Sequence, residues 1–271
     1  MRDLIDCHVH THCCGHASGT VDQMVGAAVF AGITGLVFTE HLPLPDELDP
    51  DRHLSPCESS FAEYADAVNA MATRVRGLEV VLGAEADWIP GHEDHAARVR
   101  AAAADAGVRV VLGSVHFLDG WAFDDPANLS EWDARDIDEV WERYFSVWCD
   151  AARGGGFDVM AHPDLVKKFG HRPSVDPLDL YVEAARAAAE GGVLIEVSTA
   201  GLRRPVGELY PGQDLLAVFR EAGVSATVGS DAHAPSEVGR DLEAAYRALA
   251  SAGYDRLAFP RGEGDVRWIE L

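Results

Sequence analysis

LIDCHVH, residues 4–10, joins a short apolar run to an aspartate and two histidines. The same order recurs at five later apolar runs, each of which is followed by polar side chains that can bind metals. These residues are Glu40 and His41, Glu85, Ser114 and His116, His162, and Ser230, Asp231 and His233. In a β/α barrel the carboxyl ends of all strands open onto one face, so the recurrence predicts that these side chains converge there.

The remaining pattern is that of parallel strands covered by helices, because apolar runs alternate with amphipathic, Ala-rich segments. The predicted strands are Leu4–Ile5, Gly35–Phe38, Glu79–Leu82, Arg109–Leu112, Phe157–Met160, Val193–Val197 and Val224–Val228. The predicted helices cover residues 21–31, 58–76, 92–106, 133–152, 174–190, 212–222 and 236–251. Ser174 and Ser236 are interpreted as the start signals of two helices. We expect long loops at 42–57 and 117–132, and a closing strand pair within 257–271.

Length and charge limit the possible functions. A chain of 271 residues suits a single domain, which we predict to span 1–271. The formal net charge of -23 opposes nucleic-acid binding, so a small-molecule partner is expected. No stretch approaches the roughly 20 apolar residues of a membrane span, and the first residues lack a signal-peptide pattern. The sequence therefore predicts a cytoplasmic protein with no membrane partner, and it leaves the oligomeric state open.

Nine residues of metal-ligand type fall at the predicted strand ends or in the first loop. They are His8, His10, His16, His41, Glu85, His116, His162, Asp231 and His233. Taken singly, each residue could have a role other than metal binding. His162, before Pro163, could be a hydrogen-bonded polar residue at a strand end, and Glu85 could be a solvated carboxylate in a loop. Their recurrence at the same place on six strands favours a multinuclear metal site.

Seven segments of the chain resemble the PHP (polymerase and histidinol phosphatase) superfamily. They are DCHVHTHCCGHASGT at 6–20, FTEHLPLP at 38–45, GAEADW at 83–88, GSVHFLDGWAFD at 113–124, AHPDLVKKFG at 161–170, IEVSTAGLRRP at 195–205 and GSDAH at 229–233. EHLPLP, GSVHF, LVKKFG and STAGLR look like the histidinol-phosphatase branch. The resemblance implies a distorted (β/α)7 TIM-like barrel that holds three divalent ions drawn from zinc, iron and manganese.

The resemblance also implies a ligand set and a reaction. One ion would be held by His8, His10, Glu85 and Asp231, and Glu85 would bridge to a second ion. The further ligands of the second ion would be His116 and His162, and those of the third ion His16, His41 and His233. The implied reaction is hydrolysis of L-histidinol phosphate to L-histidinol and phosphate, in histidine biosynthesis, by attack of a metal-bridging hydroxide. Asp231 or His233 would also act as the general acid.

Substrate contacts are expected from residues close to these motifs. Arg203 is the first choice for the phosphate and Lys167 the second, although Lys supplies a point charge where some relatives have Arg. An amine on the leaving group would favour carboxylates, and the candidates are Glu40, Asp124 and Asp164. The role of His12, beside the motif, stays open.

Three other functions remain compatible with these motifs. A PHP phosphoesterase acting on nucleotides or other small phosphate esters is the nearest alternative. An amidohydrolase-type barrel also begins with His-x-His, but it usually carries a carboxylated Lys at a strand end, and no Lys occurs before Lys167. A noncatalytic PHP module would have lost ligands, whereas this chain keeps all nine positions.

Overall fold

Seven parallel strands form the centre of the computed structural model, which describes residues 3–271. With two further antiparallel pairs, the described residues form eleven strands: β1 (Leu4–Val9), β2 (Ile33–His41), β3 (Glu79–Asp87), β4 (Val110–Ser114), β5 (Phe117–Leu118), β6 (Trp121–Ala122), β7 (Val159–Met160), β8 (Leu194–Ser198), β9 (Ala226–Gly229), β10 (Arg256–Gly262) and β11 (Asp265–Glu270). The main sheet has the order β1-β2-β3-β4-β7-β8-β9 and curls into a nearly closed barrel. The predicted distorted (β/α)7 TIM-like barrel is confirmed.

Within the described residues, seven α-helices cover the outside of this barrel. They are α1 (Val21–Phe30), α2 (Glu58–Arg74), α3 (Glu93–Asp105), α4 (Ile137–Gly154), α5 (Leu178–Gly191), α6 (Gln213–Glu221) and α7 (Leu242–Ser251). Thr20 caps α1 in a capping box with Gln23, and Asp136 caps α4 by accepting from the next turn. Within residues 3–271, no helix combines the length and the apolar character that crossing a membrane requires.

Two of the predicted helix starts are wrong. Ser174 donates to Asp138 instead of capping a helix, and α5 begins four residues later, at Leu178. Ser236 lies in a separate short 3-10 helix, Pro235–Glu237, and α7 begins at Leu242. In both cases the serine lies in the loop before the helix, and its spacing from a downstream Pro or Glu imitated a capping pattern.

Six of the seven barrel strands, all except β7, are longer at their carboxyl ends than their apolar runs predicted. β1 continues to Val9 and β3 to Asp87, and the register pairs His41 with Glu85. The strands continue into polar residues because their backbones stay paired with the neighbouring strands. Hydrophobic patterning predicts the end of a strand at these polar residues. The side chains at these positions are consequently held on rigid strands and not on loops.

A seam joins the first and last strands of the barrel. Val9 and Ala232 form an isolated bridge, and His10 N donates to Ala232 O over 2.9 Å. The buried Asp6 carboxylate accepts from Ser230 N at 2.8 Å, Ser230 Oγ at 2.6 Å and Gly239 N at 2.8 Å. One side chain of β1 therefore fixes the loop that follows β9.

The antiparallel pair β10–β11 confirms the predicted closing strands and covers the amino-terminal end of the barrel. Phe259 packs under Gly35, at the start of β2, and the Arg267 guanidinium lies 4.9 Å from the centre of the Phe259 ring. Gly262 approaches the backbone of Arg109, just before β4. This end of the barrel is filled, which leaves the carboxyl ends for the site.

The two predicted loops differ in content. Residues 42–57 contain turns without a helix or a strand, as expected. The segment 117–132, expected as a long loop, does connect β4 to α4, but it contains short elements that were not expected: β5 and β6 pair there, and a 3-10 helix runs from Pro126 to Ala134. The prediction of one domain over 1–271 stays a prediction, and it includes Met1 and Arg2, which lie outside the described residues.

Candidate metal centre

The structure brings the nine predicted ligand residues together at the carboxyl ends of the strands. His8, His41 and Glu85 lie within β1, β2 and β3 themselves. The others follow strands directly, except His16, which comes from the loop after β1 and lies on the exposed rim. Because most of these side chains start from strands or from the first residues after them, their positions are set by the sheet.

Glu85 lies at the middle of the cluster and is almost fully buried. Its Oε2 atom faces one set of rings, at 3.3 Å from His8 Nε2, 3.4 Å from His10 Nε2 and 3.2 Å from His41 Nδ1. Its Oε1 atom faces another set, at 3.0 Å from His162 Nε2 and 3.8 Å from His116 Nε2. A carboxylate in this position can bridge two ions.

Three overlapping groups have ligand atoms within 4.8 Å of one another: His8, His10 and Glu85; Glu85, His116 and His162; and His10, His41 and His233. The first two match the sets that the resemblance implied, and Asp231 Oδ1 adds to the first at 3.4 Å from His10 Nε2. In the third group His10 stands where His16 was expected. His16 is nevertheless adjacent, since its Nε2 lies 3.1 Å from His233 Nε2.

Hydrogen bonds at the outer nitrogens orient the rings. Three Nδ1 atoms face carboxylates: His8 faces Glu196 at 2.9 Å, His10 faces Glu40 at 3.4 Å, and His116 faces Asp87 at 2.9 Å. The inner Nε2 atoms of these rings then point at Glu85. Protein metal sites use this arrangement, in which the outer N–H is held and the inner nitrogen keeps its lone pair for the ion. The donor set therefore fits divalent metals.

The charges of the metal-free cluster are strongly coupled. Burial lowers the pKa of His10, but the carboxylates of Asp231 and Glu40 outweigh it and raise that pKa to about 9. The pKa of His116 is likewise raised to about 10, because Asp87 and Asp124 outweigh its burial. Burial raises the pKa of Glu85, but the nearby His8 and His41 hold it well below its usual value. The carboxylates of the cluster are thus balanced by some protonated rings, His10 and His116 among them, whereas burial lowers the pKa of other ligand rings, such as that of His41.

Two residues of the cluster have left-handed backbone conformations. His162 has φ 30 and Asp231 has φ 51, which are uncommon for residues other than Gly. Such strain persists where the surroundings fix it, and it is concentrated at functional sites. His162 N donates to the buried Glu196, and the loop after β9 is fixed by Asp6.

A cavity of about 520 Å³ lies over the cluster. Glu85, His116, His162, Asp231 and His233 form its polar floor, and Leu44, Leu54 and Phe117 give it apolar walls. Two cations, Lys168 and Arg204, line it as well, together with the carboxylates of Asp124, Asp125 and Glu237. The volume is that of a site for a small ligand.

The five predicted substrate residues are placed differently from one another. Only Asp124 lines the cavity, where it accepts from Lys168 Nζ at 2.8 Å. Arg203 donates to the carbonyls of Thr199 and Ser230 behind the wall, because its guanidinium is turned toward the loop after β9.

The other three are buried behind the site. Lys167 is fully buried, and its Nζ lies 2.7 Å from Asp164 Oδ2 and 2.8 Å from Leu209 O. Glu40 accepts from Thr11 and from His10, so it touches a ligand ring and not the cavity. These residues can act on a substrate only through the groups that they position.

Several residues of the site were not singled out in the sequence. Glu196 had a readable signal, because a carboxylate inside the apolar run Val193–Val197 must find a partner when it is buried. Asp87, Lys168 and Arg204 had none beyond their proximity to the motifs. His12 is exposed and bonds to Gly19 O, on the outer side of the first loop.

Known proteins resemble this chain over nearly its full length. The PHP domain model matches residues 6–200. A "Probable histidinol-phosphatase" of Deinococcus radiodurans is 38% identical over 96% of this chain and 97% of its own length. The histidinol-phosphatase of Bacillus subtilis is 27% identical over 88% of this chain and 97% of its own length.

A solved structure has the same fold. The histidinol phosphate phosphatase of Lactococcus lactis, complexed with zinc, L-histidinol and phosphate, has a TM-score of 0.78 at 19% identity. The match covers 98% of this chain and 100% of that one. At this identity the likeness supports the barrel architecture.

Proposed function

Since the chain belongs to the PHP family, and to its histidinol-phosphatase branch, we propose that it hydrolyses L-histidinol phosphate to L-histidinol and phosphate. The observation that carries the proposal is the meeting of two histidine and carboxylate groups at Glu85, with a third group of histidines beside them, at the floor of a cavity for a small ligand. The relatives named as histidinol-phosphatases support the choice of substrate. A cytoplasmic place in histidine biosynthesis is part of the same proposal.

Three divalent ions, drawn from zinc, iron and manganese, complete the proposed site. His8, His10, Glu85 and Asp231 would hold the first, and Glu85, His116 and His162 the second. The third would be held by His16, His41 and His233, with His10 beside it. When bound, such ions supply Lewis-acid polarisation of the phosphate and lower the pKa of water.

The protein's own side chains would bind and orient the ester. Lys168 and Arg204 line the cavity, so we assign them the contact to the phosphate that was first expected of Lys167 and Arg203. Arg203 would position Asp231 and would not contact the substrate, because it donates to the carbonyl of the adjacent residue, Ser230. Asp231 and His233 both line the cavity, and either would pass a proton from the attacking water to the leaving oxygen, since the pKa of each is below its usual value and neither holds a proton of its own at neutral pH.

The acidic lining favours an amine-bearing ester. Asp124, Asp125 and Glu237 share the cavity with the two cations. A substrate with an anionic phosphate at one end and a cationic amine at the other would match both signs of charge. Sugar phosphates and nucleotides lack the cation, so they would add no positive charge beside these carboxylates, of which Asp124 has Lys168 as a protein partner.

The test is phosphate release from L-histidinol phosphate and from a panel of nucleotides and sugar phosphates, with bound metals counted on the same sample. We expect a preference for histidinol phosphate and about three ions per chain. Metals combined with a preference for another ester would overturn the substrate and favour a PHP phosphoesterase of broader use. A protein that binds no metal would overturn the whole proposal.

Metal loading of the apoprotein is expected to release protons. In the metal-free protein the pKa of His10 is raised to about 9 and that of His116 to about 10, so both rings are charged at neutral pH. A ligand nitrogen must be deprotonated, so metal affinity should rise with pH by about tenfold per unit for each proton displaced. Titration of apoprotein with zinc in a weakly buffered indicator solution measures the protons. An affinity independent of pH through the neutral range would contradict the expectation.

A further inference from the structure

Glu196 is a buried carboxylate whose two oxygens serve two different parts of the candidate centre. It lies on β8 and is fully buried. Its Oε1 lies 2.9 Å from His8 Nδ1, and its Oε2 accepts from the backbone N–H of His162 at 2.9 Å. His8 and His162 belong to different groups of the centre, which meet at Glu85. One side chain thus touches a ligand residue of each.

Gly229 provides the space for the first of these contacts. A Cβ atom at position 229 would lie 2.0 Å from Glu196 Oε1 and 2.5 Å from His8 Cβ. Its backbone pairs with β8 in the usual parallel register, so no special backbone conformation explains the glycine. The absence of a side chain at this position lets the carboxylate reach the ring.

The second contact fixes a strained residue. His162 has φ 30 and is followed by Pro163, and its ring nitrogen Nε2 lies 3.0 Å from Glu85 Oε1. The bond from its N–H to Glu196 holds the backbone in this conformation. A rotation of that backbone would swing the ring away from Glu85.

We propose that Glu196 is a positioning residue that sets two metal-ligand histidines at once. It keeps the proton of His8 on Nδ1, so that Nε2 offers its lone pair inward, and it holds the His162 backbone so that this ring faces Glu85. The inference rests on the proposed metal-dependent function. Because Glu85 joins the two groups, loss of Glu196 weakens both neighbouring sites and spares His41 and His233, which it does not contact.

The substitution Glu196→Gln tests the idea because a carboxylate has two acceptor oxygens and an amide only one. If the amide oxygen faces His162 N–H, the amide NH2 faces His8 and favours the tautomer with the proton on Nε2, which cannot bind a metal. If the amide is turned round, the His162 N–H loses its acceptor. Either orientation disturbs one ligand without changing the size of the side chain.

Asp87→Asn is the matched control. Asp87 faces the Nδ1 of one ligand only, His116, at 2.9 Å. Both variants remove one buried or half-buried negative charge beside a ligand ring, so a difference between them reports the double contact. The experiment measures zinc retained per chain across a graded series of chelator, and the visible absorption of the cobalt-substituted protein.

We expect Glu196→Gln to weaken two of the bound ions by about 10–100-fold and Asp87→Asn to weaken one, which is the range for partners of metal ligands. The cobalt spectrum of the Glu196 variant should change, while thermal unfolding of the two apoproteins stays similar. Wild-type metal retention and an unchanged cobalt spectrum in Glu196→Gln would overturn the inference and leave the proposed function intact. Wild-type protein without metal would overturn both.

Glu196→Asp covers the case in which the glutamine variant does not fold. It keeps the charge and both acceptor oxygens but shortens the side chain by one methylene, so it can reach one partner well and the other poorly. We expect Glu196→Asp to retain less metal than the wild type and more than Glu196→Gln. Retention equal to that of the wild type would count against the double contact.

Discussion

Glu85→Gln is expected to lower kcat/KM for histidinol phosphate by at least about a thousandfold. The two carboxylate oxygens face different sets of rings, with Oε2 at 3.3 Å from His8 and Oε1 at 3.0 Å from His162. An amide has one acceptor, and its NH2 group would point at nitrogens that must themselves accept a metal. Two neighbouring ions should therefore be lost together. Steady-state kinetics and metal counting on the purified variant measure the two effects.

The control for this variant is Glu63→Gln, the same chemical change on the exposed side of α2. We expect the control to keep wild-type metal content and activity. A Glu85→Gln protein that retained all its metal, with kcat/KM within tenfold of wild type, would mean that Glu85 does not bridge. Loss of activity with full metal content would instead assign Glu85 a role in the reaction other than holding ions.

Gly262→Ala is expected to reduce the free energy of unfolding by about 3 kcal/mol, as the sum of two costs. Gly262 has φ +95, in the region where L residues are strained. A Cβ there would also lie 2.2 Å from the carbonyl oxygen of Arg109, on the chain entering β4. The hairpin β10–β11 would have to shift from the end of the barrel that it fills. Urea denaturation followed by circular dichroism measures the change.

Gly264→Ala separates the two costs. Gly264 lies in the same hairpin with φ +76, but no atom of the described residues lies within 4 Å of its Cβ position. We expect this variant to lose only the conformational part, about 1 kcal/mol. Equal losses in the two variants would show that the approach to Arg109 contributes nothing. In both, the activity of the folded fraction should stay unchanged, since the hairpin lies at the end opposite the centre.

The position of each of the seven barrel strands could be predicted from its apolar run, but its length could not. β3 continues past its apolar run to Asp87 because its backbone pairs with β2 as far as Glu85 and with β4 as far as Asp87. Hydrophobic patterning predicts a strand from its apolar side chains, but the end of the strand is set here by backbone hydrogen bonds. The ligand residues were predictable for a different reason. They recur at the same place on successive strands, and topology alone makes them converge.

The substrate contacts were less predictable, and adjacent residues show why. Arg203 and Lys167 were chosen, yet their neighbours Arg204 and Lys168 line the cavity. Both pairs lie at the ends of short 3-10 turns, Ala200–Arg203 and Leu165–Lys167, where successive side chains point in different directions. The sequence places a cation near the site, but which of two neighbours faces inward depends on the turn.

The seam between β1 and β9 means that the metal centre can be completed only late in synthesis, when the last barrel strand has been made. Asp6 reaches Ser230 across 224 positions of sequence, and the same carboxylate also binds Gly239 N. During synthesis the amino-terminal histidines leave the ribosome long before their partners Asp231 and His233 exist. A nascent chain can therefore offer only loose, incomplete sites to cellular metals. Selection among ions therefore belongs to the finished barrel, after its first and last strands have come together.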